Sequence, residues 1–329
     1  MRKLCLLLMI FLLLPLPALA SGMPTIDESA DDLISLDGSD LYDLAAGTGD
    51  ASDASDFLIL PEDNDSTLNS SFTLLLIGSD SYDEEHRGRG DALILVQVNG
   101  AAKEIRLVSF LRDLYVSIPG KSSNRINASY VWGGESLLRR TLEKNFGVTA
   151  DAYMEVNFDR MVKLIDGIGG VEVEVSKKER TQVNSILRFY NKQIGAPEED
   201  ELLEETGLTH LTGKQALCFS RIRKIDGDEQ RTARQRKVLE AAFRKVSALS
   251  LAEITAVLTA NLDVVTTDLT LADCLTLIPL AIQCRNATFE TLTIPQDGHG
   301  AFVDESWVLK ADLKKEKKAL LAFLGLSGD

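Results

Sequence analysis

The sequence predicts an α/β fold, a central mixed sheet flanked by helices. Three observations carry that expectation. Short apolar runs of strand length alternate with longer segments of helical spacing between Phe72 and Leu324. Two of the runs are separated by Asn99-Gly100, a dipeptide suited to a tight hairpin turn. The chain is 45% apolar and 26% charged over 329 residues, ordinary values for a protein long enough to bury a core without disulfide or metal staples. Sustained heptads and repeated apolar spans are missing, which excludes coiled-coil and polytopic membrane classes.

The first 20 residues read as an export segment. Arg2-Lys3 precedes the apolar run Leu4–Leu14, then Pro15-Leu16-Pro17 and Ala18-Leu19-Ala20, a small-residue cleavage pattern. The rival is a retained anchor, because Leu4–Ala20 lies near the lower limit of about 17–25 residues for a spanning helix. Residues 21–70 read as an acidic flexible spacer, with 13 Asp/Glu and no Lys or Arg between Ser21 and Ser66. Residues 71–325 then form one domain. Most of the formal charge of −15 resides in the spacer. An acidic, exported chain is not a nucleic-acid binder, and its body is expected on the outer face of a membrane. Cys218, Cys274 and Cys284 form no CxxC motif and read as small buried hydrophobes.

Strands are expected at Phe72–Ile77, Ala92–Val98 and Glu104–Phe110, the last two as a hairpin, with a further short one at Leu114–Ile118. Leu138, Leu142 and Phe146 set a helix over Glu135–Phe146, stopped by Gly147. A strand at Tyr153–Val156 and a helix at Phe158–Ile168 follow. Val171-Glu172-Val173-Glu174-Val175 alternates as a half-buried strand. The polar stretch Lys177–Gly207 is expected as a loop with one helical turn near Ile186–Tyr190. Thr212-Gly213-Lys214-Gln215 is a capping box opening a helix through Phe219. Helices are expected at Glu229–Ser247, Ser250–Asn261, Thr270–Cys284 and Asp304–Leu324, with a strand at Thr288–Ile294.

The charges fall at element ends. Asp80 follows the first strand, Arg89 and Asp91 precede the second, and Arg112 and Asp113 follow the third. If the second strand runs antiparallel, these residues share one sheet edge. Arg221 and Arg223 form another group, followed by Asp228, Arg231, Arg234 and Gln235; positions 231, 234 and 235 share a helical face. Arginines fork onto phosphate oxygens, and neighbouring carboxylates can hold Mg²⁺, which shares its shell with water and phosphate. The mixture suits a pyrophosphate with its metal. A single Arg-x-Asp would more often be a surface ion pair; three clusters weaken that reading. Arg89-Gly90-Asp91 is also an adhesion tripeptide, but entry into a strand already accounts for it. The three histidines lack zinc-ligand spacing. Tyr130 and Trp132 suit either half-buried packing or the lining of a sugar or lipid site.

Residues 72–245 resemble the LytR-CpsA-Psr family. The matching segments are Thr73–Ser81 (TLLLIGSDS), Arg89-Gly90-Asp91, Val108–Val116 (VSFLRDLYV), Arg125–Gly134 (RINASYVWGG), Leu164–Val175 (LIDGIGGVEVEV), Leu211–Arg223 (LTGKQALCFSRIR) and Gly227–Leu239 (GDEQRTARQRKVL). The resemblance implies a single domain with a hydrophobic lipid-binding pocket. It implies an enzyme outside the bacterial membrane that moves a glycopolymer from a polyprenyl-pyrophosphate carrier to peptidoglycan. Arg89, Arg112, Arg221 and Arg223 fall on the family's pyrophosphate-binding arginines, with Gln235 and Arg231 close by. Asp80 and Asp91 fall on the Mg²⁺-associated carboxylates, and Asp113 is the additional acid that could activate an acceptor hydroxyl. The implied catalytic set is Arg89, Asp91, Arg112 and Asp113, and the implied partners are the lipid-linked polymer, peptidoglycan and the membrane surface. Phe110-Leu111 and Gln230 depart from the family's usual residues without removing a charge. The same residues would serve a pyrophosphate hydrolase; a non-catalytic envelope module or regulator is the third class.

Overall fold

The computed structural model describes residues 71–80, 88–248, 266–270 and 286–326, with isolated positions at 273, 277, 280, 283 and 284. The export segment, the acidic spacer, the helix expected at Ser250–Asn261, most of that at Thr270–Cys284, and Cys274 lie outside the described residues.

In chain order the elements begin with β1 (Ser71–Ser79), β2 (Gly90–Asn99), β3 (Glu104–Phe110), β4 (Tyr115–Val116) and β5 (Asn124–Arg125). Next come α1 (Ile126–Phe146), β6 (Ala152–Asn157), α2 (Phe158–Gly167), β7 (Val171–Val175), α3 (Lys177–Gln193), β8 (Gly207–Leu211), α4 (Gly213–Ser220) and α5 (Asp228–Ser247). The chain continues through β9 (Thr266–Thr267), β10 (Thr288–Ile294), β11 (His299–Val303), β12 (Ser306–Lys310) and α6 (Leu313–Leu324).

The main sheet has the order β10-β3-β2-β1-β6-β9. β1, β2 and β3 form an antiparallel meander. β6 adds to β1 and β10 to β3, both in parallel. The mixed sheet expected from sequence is therefore present. Its strands are apolar on both faces because both faces are covered. Leu75, Ile77, Leu93, Leu95, Val108 and Phe110 pack against α1 and α6. Ile94, Ile105 and Leu107 face the other way, toward Leu239 and Phe243 of α5. A second core fills the space among α2, β7, α3, β8, α4 and α5, around Val173, Val183, Leu187, Leu211 and Phe219.

Several boundaries differ from expectation. The expected loop at Lys177–Gly207 contains the 17-residue helix α3. Its N-terminus is a capping box, Ser176 with Glu179, and Val183, Leu187 and Tyr190 are its buried stripe. The stripe is narrow and the remaining positions are polar, which hides the period. α1 starts at Ile126 rather than Glu135, and Gly133 and Gly134 interrupt it with non-helical angles. The helix expected from Asp304 is instead a hairpin, β11–β12, followed by α6. Its turn is Asp304-Glu305, both at positive φ, where sequence offers no Gly or Asn to announce it. Within Leu114–Ile118 the strand is two residues long and pairs with β5. Among the described residues, no helix is long and apolar enough to cross a membrane.

Candidate active site

The meander brings the end of β1, the start of β2 and the end of β3 to one edge. Gly78 pairs with Ala92 but Ser79 with Gly90, so Asp91 is the extra residue of a β-bulge. A bulge re-aims a side chain out of the regular alternation. Asp91 Oδ1 here accepts from Arg112 Nη1 at 2.5 Å. Just beyond the bulge, Arg89 N–H donates to Asp80 Oδ1 and Asp80 N–H to Arg89 O. This reciprocal pair fixes the two chain ends side by side.

Arg112 is held from two sides. Its Nε lies 3.3 Å from Asp113 Oδ2, and Asp113 Oδ1 lies 3.5 Å from Arg125 Nη1. Asp113 is buried between the two arginines. From the other core, Arg223 reaches Asp91 Oδ2 at 3.8 Å and Asp228 Oδ1 at 3.4 Å. Asp228 Oδ1 also faces Arg231 Nε at 3.4 Å. The Arg221 guanidinium lies over the Phe158 ring, 4.4 Å from its centroid, a cation–π contact. Arg89 is exposed and its guanidinium has no partner among the described residues. Gln235 is half-buried on α5, one turn beyond Arg231.

Asp91, Arg112, Asp113 and Arg223 are thus in one network, and Asp228 extends it to Arg231. Asp80 and Arg89 adjoin it through the backbone. Arg221 and Gln235 join it by position on the loop and helix rather than by contact. Arg234 departs from the helical-face grouping. It is 4% exposed and bonds Glu179 Oε1 at 2.8 Å, Asp226 Oδ1 at 3.0 Å and Ile222 O at 3.3 Å. It clamps the loop that carries Arg223. Arg125 and Phe158 were not singled out from sequence as site residues. Arg125 stands in a matched segment, but its partner Asp113 is 12 residues away. Tyr130 is buried and Trp132 exposed.

The electrostatics are unbalanced in an informative way. Burial alone would lower the Arg112 pKa, yet Asp91 and Asp113 outweigh it and raise the value. For Arg223, burial and the like charge of Arg112 prevail over Asp228 and Asp91, and the pKa is lowered. Both remain protonated. Four buried polar atoms in this region lack hydrogen-bond partners: Ser79 Oγ, Arg125 Nε, Asp228 Oδ1 and Arg231 Nε. Asp228 and Arg231 attract one another without an aligned bond. An unmet buried group costs about 1–3 kcal/mol, and four of the atoms of this kind among the described residues are concentrated here.

Asp80 and Asp91 supply hard oxygen donors of the kind Mg²⁺ takes. Each gives one oxygen to an N–H donor. Among the described residues, no group of three or more His, Cys, Asp or Glu is placed to hold a metal alone. The donor set fits an ion that completes its shell with water and a phosphate ligand.

A model of the LytR_cpsA_psr family matches residues 47–321. The polyisoprenyl-teichoic acid–peptidoglycan teichoic acid transferase TagU of Bacillus mycoides is 35% identical over 239 residues, 71% of this chain and 72% of its own length. Among solved structures, B. subtilis TagT aligns with a TM-score of 0.62 at 27% identity, covering 81% of this chain and 95% of that one. A structure described as YwtF (TagT) with bound octaprenyl pyrophosphate lipid aligns at 0.59 and 26% identity, covering 79% and 92%. The family model spans most of the chain, and the chain belongs to the LytR-CpsA-Psr family.

Proposed function

We propose that the chain is a phosphotransferase that moves a glycopolymer from a polyprenyl-pyrophosphate carrier to peptidoglycan, with Mg²⁺ at Asp80 and Asp91. The carrying observation is the convergence of Arg112 and Arg223, from two separate cores, on Asp91. The names of the relatives support this substrate class.

In this reading Arg89, Arg112, Arg221 and Arg223 bind the pyrophosphate oxygens, and Arg231 and Gln235 close the site from α5. Arg112 and Arg223 hold the two phosphates in a fixed fork, so the developing charge meets cations already in place. An acceptor hydroxyl oxygen attacks the phosphorus next to the polymer. A new phosphodiester forms, the P–O–P bond breaks, and prenyl phosphate leaves with the bond's electron pair. Asp113, whose carboxylate lies beside Arg112 and Arg125, takes the hydroxyl proton. Mg²⁺, when bound, offsets negative charge on the leaving phosphate. The membrane surface supplies the carrier, and the Arg2–Ala20 segment places the body on the outer face. Externally added protease should then degrade the protein on intact, wall-stripped cells; protection of the body would overturn that placement.

The deciding experiment incubates the protein with a polyprenyl-pyrophosphate glycan and peptidoglycan fragments and weighs the products by mass spectrometry. A polymer–peptidoglycan phosphodiester is the expected product. Release of the polymer phosphate with water incorporated, and no conjugate, would establish a hydrolase instead.

A further inference from the structure

The β11–β12 hairpin carries an aromatic pair that buries little. Phe302 and Trp307 face each other across it and are 74% and 44% exposed. Gly300 lies under the indole: a Cβ built there would come within 3.0 Å of Trp307 Nε1. The absence of a side chain at position 300 leaves room for the Nε1–Cζ2 edge of the indole against the hairpin, and the residue keeps much of its surface open to solvent. A cross-strand aromatic pair stabilises its hairpin modestly, and the apolar area this one leaves open adjoins the site, where exposed apolar surface serves as a contact surface.

The hairpin is tied to the arginine network. Leu309 N–H donates to Asp113 O at 2.8 Å, and Leu309 bridges Leu114 in parallel. Lys310 Nζ sits 5.7 Å from the Tyr115 ring centroid. The strand bearing Trp307 therefore runs past the Arg112–Asp113 turn. At the far end, Asp304 and Glu305 put two exposed carboxylates on the tip.

Charge decides the occupant. Two tip carboxylates against the single Lys310 of the strand leave the hairpin net negative, with nothing to draw a phosphate-rich polymer or an anionic bilayer surface. They do not penalise a neutral sugar, whose ring presents an apolar C–H face to an aromatic plane while its hydroxyls stay wet. We propose that the Phe302–Trp307 face is the acceptor site and stacks an N-acetylated hexose ring of the peptidoglycan glycan strand, directing the strand toward Asp113. This rests on the transferase reading and names its acceptor subsite.

The test uses the full chain, with Phe302→Ala, Trp307→Ala and Trp307→Phe. Soluble N-acetylhexosamine oligomers released from peptidoglycan are titrated while the indole N–H resonance of Trp307 is followed by NMR, a measurement that needs no turnover. The oligomers should shift that resonance. Trp307→Ala should weaken binding and raise the acceptor KM about tenfold, the scale of one well-placed aromatic contact. Trp307→Phe should restore part of both, and donor-lipid affinity by calorimetry should stay at the parent's value. If the parent transfers polymer and Trp307→Ala keeps the parent's acceptor KM, the acceptor site is wrong and the transferase reading stands. If the oligomers bind at Trp307 but the parent makes no conjugate, the transferase reading falls and the glycan site survives. Trp307-dependent sedimentation with phosphatidylglycerol vesicles, without oligomer binding, would show membrane docking and overturn the proposal.

Discussion

Arg112 makes two ion pairs at once, with Asp91 and with Asp113, and neither carboxylate is fully exposed. Replacing it by alanine removes a charged hydrogen-bonding group and leaves two carboxylates facing each other. Donor-lipid binding should weaken by about 1.5–3 kcal/mol, with lysine restoring only part of it for want of a planar fork. Arg221→Ala and Arg223→Ala should do the same. Calorimetric titration with prenyl pyrophosphate checks all three, and unchanged affinity throughout would mean that these arginines serve only as ion pairs. The cysteines behave oppositely. Burial pushes the Cys218 thiol up to about 12 and the Cys284 thiol to about 11, so at neutral pH neither forms a thiolate nucleophile. Peptide mapping after mild alkylation of the folded protein should find both unmodified. At this scale the sequence was a good guide wherever a charge ended a strand. It was silent on Arg125 and Phe158, whose partners are brought to them by turns and helix packing rather than by neighbouring residues in the chain.

The loop Arg221–Gly227 has its shape imposed by a neighbouring helix. Arg234 of α5 donates to Ile222 O and to both Asp226 oxygens, while Glu179 of α3 holds its Nε. Breaking a buried pair strands the remaining charge, so Arg234→Ala should destabilise the protein by about 3–5 kcal/mol, read by denaturant unfolding. Burial by itself would raise the Glu179 pKa, but the bonds from Arg234 and Ser176 prevail and lower it. A lowered native pKa means that its contribution is full above the ordinary carboxylate value of about 4.5 and fades as pH falls through the native one. Glu179→Gln should therefore cost most at neutral pH and little in acid; an equal cost at all pH values would refute the linkage. The Ser176-x-x-Glu179 box that begins α3 was written in the sequence, as was the Thr212 box of α4. The first was passed over because a mostly polar helix shows its period only at Val183, Leu187 and Tyr190. The β11–β12 hairpin was hidden for a different reason: its turn, Asp304-Glu305, has no Gly, and Glu305 is a residue that seldom takes positive φ.

Across the whole molecule, two cores meet at one charged edge, and a ligand bound there links them. Donor lipid with Mg²⁺ should raise global stability by mass action, about 2.7 kcal/mol at a hundredfold excess over Kd. Linkage requires Mg²⁺ to tighten lipid binding by the factor by which lipid tightens Mg²⁺. Asp91→Asn keeps the shape and loses the charge, so it should remove the Mg²⁺ share of that shift while leaving the unliganded protein folded. Thermal unfolding with lipid, with and without Mg²⁺, on parent and variant, checks this; a parent indifferent to Mg²⁺ would refute the metal role. The meander was legible from three apolar runs and one Asn-Gly turn. The parallel additions of β6 and β10 were not, since nothing local in a strand names a partner on the far side of a crossover.

The bulge at Asp91 acts as a phase reset. On β2, Leu93 and Leu95 keep one parity with respect to the sheet. Gly90, of the opposite parity, nevertheless lies against Leu93 and Tyr130 on that same side. The spare residue lets the charged end of the strand be dealt its faces independently of the core below it. Deleting residue 91 would therefore be a narrow operation. Gly90 would take the place that strict alternation gives residue 91, on the side it already faces, Ser79 would keep Gly90 as its partner, and the re-aimed carboxylate alone would be lost while the hydrophobic ladder beneath stayed in register.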